Sequence, residues 1–207
     1  MSQEVDFIVI PVHELSMEQQ TRINEARESV FGKDAGIADF HAHFGAGAMC
    51  LLLGSSPEPA PAGASVVNWR AFCIVREMPP IRVQSDEFPC VGVCSVISLV
   101  PGQGYGKQLM TMVRDFVSHR YPLHQALGFT GATNFFKQCD GWQVAPGLIS
   151  RFVFVHPETL EPELDDDGDA FFLALPHGGG NRLIEAVEAI PAPLDLERRA
   201  VIRIPFW

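Results

Sequence analysis

Residues 100–110 read VPGQGYGKQLM, with Gly102, Gly104 and Gly106 at alternate positions. Before them, CVGVCSVISLV (90–100) is almost continuously apolar, as a strand covered on both faces is. After them, Leu109, Met112, Val113, Phe116 and Val117 recur at helical spacing, and His119 and Arg120 close the last turn, where positive charge suits the dipole. Glycine at such a junction serves a backbone that takes positive φ or comes close to another group. A loop between strand and helix aims successive N–H groups at one point beside the positive end of the helix dipole, which suits phosphate. A purely structural turn would account for two of the three glycines. A P-loop is excluded, because Lys107 is followed by Gln108 and the spacing differs; the dinucleotide fingerprint lacks its third glycine at the required offset.

The rest of the chain alternates between the two periods. VDFIVIPVH (5–13) is a first strand. Ser16 opens a helix, with Gln19 completing a capping box and Ile23, Ala26, Val30 and Phe31 as its apolar stripe before Gly32. Residues 33–44 form a short helix or loop, AMCLLLG (48–54) a strand, SSPEPAPAGA (55–64) a long hairpin tip and VVNWRAFCIVREM (66–78) a long strand. Residues 78–88 are expected to be mostly turn, with one short strand. QALGFTG (125–131) is a strand and NFFKQCDGW (134–142) a short helix ending at Gly141. LISRFVFV (148–155), AFFLAL (170–175) and the terminal AVIRIPFW are strands, and NRLIEAVEAI is a helix.

Composition narrows the function. Lys plus Arg total 15 and Asp plus Glu 25, a net charge of −10. Such a chain repels phosphate backbones, so nucleic acid is not expected as a partner. A cationic small molecule is the natural ligand, and the plain alternative is that the charge keeps the chain in solution. No apolar run reaches membrane-spanning length, and MSQEVDFIVI lacks the layout of a signal peptide, so neither membrane nor secretion is expected. The five cysteines form no close pair and no ligand cluster, and they read as buried thiols of a reducing cytoplasm, with no metal. His41 and His43, in HAHF, lack a nearby third ligand and read as a capped or exposed helix start. HGGG (177–180) has no GxSxG nucleophile to serve.

SLVPGQGYGKQLM resembles the acyl-CoA loop of the GNAT N-acetyltransferase superfamily, Gln/Arg-x-x-Gly-x-Gly/Ala after an apolar strand. Gly104 and Gly106 take the two small positions, and Pro101 stands where that pattern has Gln or Arg. NFFKQCDGW is similar to a later element of the superfamily, an aromatic-rich helix ending in Gly-Phe or Gly-Trp. A closer resemblance is to the aminoglycoside 2′-N-acetyltransferases. KDAGIADF carries Asp34 and Asp39, GWQVAPG follows the short helix, DDDGDAFFLALP carries Asp166 ahead of a strand, and the chain ends on Trp207. Two positions depart from that branch: Gly92 replaces its strand glutamate, and Lys137, or Phe136 with one inserted residue, replaces its tyrosine.

The resemblance implies an α+β, GNAT-like fold: a mixed, mostly antiparallel central sheet flanked by helices, with the strands at 90–100 and 125–131 splayed apart. It implies one domain over residues 1–207, with a core at about 5–155 and an extension at about 156–207. Acetyl-CoA is the implied cosubstrate, its arm pairing with Cys94, Ser95 and Val96 and its pyrophosphate on Gln103, Gly104, Tyr105, Gly106 and Lys107. Asp34, Asp39, Asp166 and the Trp207 carboxylate would bind the ammonium groups of an amino sugar or polyamine. Candidate bases are Asp86, Glu87 and the Trp207 carboxylate, with a solvated turn as the plain reading of the first two. Acetyl transfer needs a deprotonated amine, a donor to the thioester oxygen and good alignment. A thiol of pKa near 8.5 leaves tolerably unaided, so loss of an acid does not by itself remove the activity. The other class is a GNAT-like CoA- or ligand-binding protein without catalysis. A second copy of the chain is admitted as a partner.

Overall fold

The computed structural model describes residues 5–55, 68–156, 159–165, 168–174, 181–191 and 199–203. The chain divides into two compact units, Met1–Arg76 with Ser95–Val113 and Glu77–Cys94 with Arg114–Trp207.

In the first unit, strand β1 (Asp6–Pro11) is followed by helix α1 (Met17–Phe31) and helix α2 (Phe40–Phe44). Strand β2 (Met49–Ser55) and the start of β3 (Asn68–Val83) follow. The expected capping box is present: the Gln19 amide donates to Ser16 Oγ at 3.2 Å, and the Ser16 amide donates to Gln19 Oε1 at 2.8 Å. The apolar stripe of α1 stops short, however. Ile23 and Ala26 are buried, but Val30 and Phe31 are 57% and 55% exposed, and the third buried residue of the helix is Arg27. β1 pairs antiparallel with β2 from Asp6 opposite Gly54 to Pro11 opposite Met49. β2 pairs antiparallel with β3 from Met49 opposite Val75 to Ser55 opposite Asn68.

Residues 78–88 are strand on both sides of a two-residue turn, which corrects the expectation of mostly turn. β3 continues through Pro79 and Pro80 to Val83, and β4 (Asp86–Ser98) starts two residues later. Proline removes a ladder donor and is tolerated only where a strand edge is not paired. Among the described residues, the pairing of β3 on the β2 side ends at Val75 and β10 joins at Arg82, so both prolines fall between the two, with their side chains exposed. The reversal itself needs only Gln84 and Ser85, with Gln84 at φ 55°.

Helix α3 (Tyr105–Arg120) follows β4 and buries Leu109, Met110, Val113 and Val117. The second unit then adds β5 (Gln125–Thr130), α4 (Thr133–Phe136), β6 (Trp142–Ala145), β7 (Phe152–Val155), β8 (Pro162–Glu163), β9 (Asp169–Leu173), α5 (Arg182–Glu188) and β10 (Ala200–Ile202). Their order is β6-β9-β5-β4-β3-β10-β7-β8. The pairs β4–β5 and β7–β10 are parallel, whereas β5–β9, β6–β9, β7–β8 and β3–β10 are antiparallel. The fold is therefore the expected mixed sheet with flanking helices. Phe152, Leu127, Cys90, Ile81, Val187 and Ala200 are fully buried in the core of this unit. Each large apolar side chain there contributes about 1.5–3 kcal/mol by leaving water.

Two local readings change. The strand expected at 148–155 begins only at Phe152, because Gly147 turns left-handed (φ 64°) and the Ser150 hydroxyl donates back to its carbonyl at 2.7 Å, winding Leu148–Arg151 into a 3₁₀ turn. The expected helix at 134–142 lasts one turn, and Trp142 instead opens β6 against β9.

The relation between β4 and β5 bears most on function. They pair at only three positions, Cys90–Gln125, Val91–Ala126 and Gly92–Leu127. Gly128, Phe129 and Thr130 of β5 continue their pairing with β9.

Candidate functional site

The loop of the first unit has the backbone that its glycines foreshadow. Gly102 and Gly104 adopt φ of 76° and 78°, and a Cβ on either would meet no atom within 4 Å. Conformation, not crowding, therefore requires glycine there. Pro101–Gly104, Lys107 and Gln108 are exposed, whereas Gly106 is buried. The Gln108 amide donates to the Gly104 carbonyl at 3.1 Å, which places the first turn of α3 at the loop. Amides of that turn have no acceptor within the helix and project from its positive end. Arg70 of β3 lies with its guanidinium carbon 5.7 Å from the centre of the Tyr105 ring, and its carbonyl accepts from the Leu99 amide at 2.8 Å. Strand β3 thus braces the loop where it leaves β4. The exposed loop residues and the added cationic charge fit a pyrophosphate.

The expected acyl-binding stretch of β4 alternates in exposure. Cys94, Val96 and Ser98 are half-buried, and Ser95 and Ile97 are buried. Ser95 takes φ of 51°, a left-handed conformation that is rare for a residue with a side chain. Its hydroxyl accepts from Nη1 of Arg27, whose Nε donates to the Ala35 carbonyl at 2.9 Å.

Beside Arg27 stand two further basic groups of the first unit. Arg76 of β3 is 3% exposed and donates from Nη1 to the His43 carbonyl at 3.0 Å. Its guanidinium also lies 5.9 Å from the centre of the Phe44 ring. His43 is half-buried in α2, a helix whose start is capped, as the sequence suggested, by Asp39. Burial first, and then the Arg76 and Arg27 charges, push its pKa down to about 4, so the imidazole is neutral at pH 7. None of these three was singled out from sequence as a site residue. The available signal was Arg27 itself, a charge four residues after Ile23 on the buried face of α1.

The other sequence candidates are placed as follows. Asp39 is exposed and caps α2, its Oδ1 accepting from the Ala42 amide at 2.9 Å. It also lines an open cavity of about 450 Å³ with Val12, His13, Gln20, Phe40 and His41. Asp34 is exposed in the 3₁₀ turn Lys33–Ala35. Asp86 and Glu87 belong to the second unit, exposed beside the β3–β4 reversal. Glu87 precedes Gly92, the position at which the resembled aminoglycoside branch has its strand glutamate, by roughly 16 Å of extended strand. Where the resembled branch has its tyrosine, Phe136 is buried and stacked on Phe171 at 3.7 Å, and Lys137 is the exposed C-cap of α4. Asp166 and Trp207 lie outside the described residues. Among the described residues no group of three His, Cys, Asp or Glu side chains could hold a metal ion, and no helix is long and apolar enough to cross a membrane.

This arrangement of strands and helices is the fold of the GNAT acyltransferases. An acyl-CoA N-acyltransferase from Pseudomonas aeruginosa is similar with a TM-score of 0.50 and 15% identity, over 82% of this chain and 98% of that one. Escherichia coli ElaA is similar with a TM-score of 0.48 and 16% identity over the same shares, 82% and 98%. The E. coli GNAT family N-acetyltransferase YhbS, in complex with CoA, is similar with a TM-score of 0.48 and 10% identity over 98% of this chain and 93% of that one. No protein-family model and no curated protein sequence matches the chain.

Proposed function

We propose that the protein is an acetyl-CoA-dependent N-acetyltransferase acting on a primary amine of a small substrate. The observation that carries this reading is the pair of left-handed glycines, Gly102 and Gly104, in an exposed loop that opens α3 directly after β4. On a GNAT fold, this is where a CoA pyrophosphate would rest on the amides from Gln103 to Lys107. The pantetheine arm would run along Cys94, Ser95 and Val96, with a β4 amide donating to the thioester oxygen as charge develops there. The neutral amine attacks the thioester carbon, the C–S bond breaks, and the sulfur leaves as thiolate and takes up a proton. Alignment of the two reactants supplies much of the rate. Of the three carboxylates that the sequence offered, that of Trp207 is the one proposed to accept the amine proton, because Asp86 and Glu87 stand beside the β3–β4 reversal, beyond hydrogen-bond reach of the Cys94–Val96 stretch of the same extended strand.

The narrower reading is a cationic acceptor, an amino sugar or polyamine, held by Asp34, Asp39, Asp166 and the Trp207 carboxylate. It is supported by the cavity that Asp39 lines and by the net charge of −10.

Thiol release from acetyl-CoA with a panel of amines tests both levels. Release with some amine supports the transferase. CoA binding without release from any amine would mark a CoA-binding protein instead. The acceptor class is tested by Asp39→Ser, which keeps a cap on α2 while removing the charge. A raised KM for spermidine or an amino sugar with an unchanged KM for acetyl-CoA is expected, and unchanged amine saturation would remove Asp39 from the site.

A further inference from the structure

We propose that Arg27 is a positioning residue for the acyl-binding stretch of β4, acting through the side chain of Ser95. The inference rests on the reading of that stretch as the seat of the acetyl-CoA arm.

Three observations carry it. Ser95 is a buried, non-glycine residue at φ 51°. A backbone in that region persists only where the surroundings over-determine it. Arg27 is part of those surroundings, because its Nη1 donates to Ser95 Oγ while its Nε donates to the Ala35 carbonyl. A guanidinium is planar and presents its donors at fixed angles, so holding one edge on Ala35 fixes where the other edge holds Ser95. Finally, Arg27 sits on the buried face of α1 beside Ile23 and Ala26, where an aliphatic residue would continue the stripe without the cost of burying a charge.

The chemical consequence follows from strand geometry. A left-handed residue within a strand departs from the regular pleat and so tilts the backbone groups on either side of it. Ser95 lies between Cys94 and Val96, the residues whose amides and carbonyls would meet the pantetheine arm and the thioester. If Ser95 relaxed to regular strand, those groups would turn away from the acyl carbon although the pyrophosphate loop remained intact. Arg27 acts through Ser95 in this reading. It keeps β4 in the conformation that receives the acyl end.

Calorimetry with two probes separates this role from a general one. Acetyl-CoA would use both the loop and the strand; 3′-phosphoadenosine 5′-diphosphate carries the pyrophosphate but no pantetheine arm. Arg27→Met, at temperatures well below its melting point, is expected to lose about tenfold or more in acetyl-CoA affinity, a change of about 1.4 kcal/mol. Its affinity for the arm-less probe should be unchanged. Ser95→Gly in the Arg27→Met background should restore much of the loss, because glycine holds positive φ unaided. Arg27→Lys, which keeps the charge and loses the fork, should show the same loss and stands in if Arg27→Met does not fold. Wild-type affinity for acetyl-CoA in these variants, equal losses for both probes, or no rescue by Ser95→Gly would overturn the proposal. Failure of the wild-type protein to bind either probe would overturn the transferase reading and this inference with it. Wild-type binding with unaffected variants would overturn this inference alone.

Discussion

The carbonyl oxygen of Val93 on β4 approaches Gly128 on β5 so closely that a Cβ on the glycine would lie 2.4 Å from it. The same Cβ would lie 2.2 Å from the Cζ of Phe171, which is stacked on Phe136. Gly128 follows Leu127, the last β5 residue paired with β4. Neither a backbone carbonyl nor a stacked ring yields cheaply. Gly128→Ala should therefore destabilise the protein by about 1–3 kcal/mol, as overpacking does. Urea denaturation measures this directly, and an unchanged midpoint and slope would show that the two strands yield more readily than their packing implies.

Gly104 and Gly47 both have open space where a Cβ would stand, but only Gly104 has positive φ. Gly104→Val should leave the fold in place by circular dichroism and abolish CoA binding, because the branched side chain disfavours φ 78° and occupies the space proposed for the pyrophosphate. Gly47→Ala, in the same unit, should bind CoA like the wild type. Equal CoA affinity in both variants would remove the loop from the binding site.

His43 makes stability depend on pH in a direction set by its surroundings. Its pKa is about 4 in the folded chain, against about 6.5 for an exposed imidazole. The unfolded chain thus takes up the proton first, and the contribution of His43, fully present above pH 6.5, is lost as pH falls towards 4. The melting temperature should decline across that window, and His43→Gln should flatten the decline. An identical pH profile in the variant would place the acid sensitivity elsewhere.

The five cysteines form no disulfide, and all but Cys94 are buried. Burial pushes the thiol of Cys50 up to about 12 and that of Cys90 higher still, which leaves them without reactive thiolate near neutral pH. A disulfide reagent applied to the folded protein should modify Cys94 ahead of the other four, and acetyl-CoA should slow that reaction. Uniform labelling, or no protection by acetyl-CoA, would count against Cys94 lining the acyl stretch.

The sequence by itself determined what depends on neighbours a few residues apart. Ser16 and Gln19 cap α1 because their side chains reach each other's amides three positions away. Gly102 and Gly104 turn left-handed because backbone preference is local, and α3 shows its buried face because helical spacing repeats in the chain. Tertiary structure decided the rest. β3 runs through Pro79 and Pro80 because, among the described residues, β2 stops pairing before them and β10 begins after them. Trp142–Ala145 is a strand because β9 lies beside it. Arg27 meets Ser95 across 68 residues of sequence, and no period in the chain signals that pairing. Hydrophobic periodicity tells a residue which face to bury, but not which distant group will share that face. The loop was therefore legible in the sequence, whereas the buried arginines, the neutral His43 and the left-handed Ser95 became visible only once strands and helices from distant parts of the chain had come together.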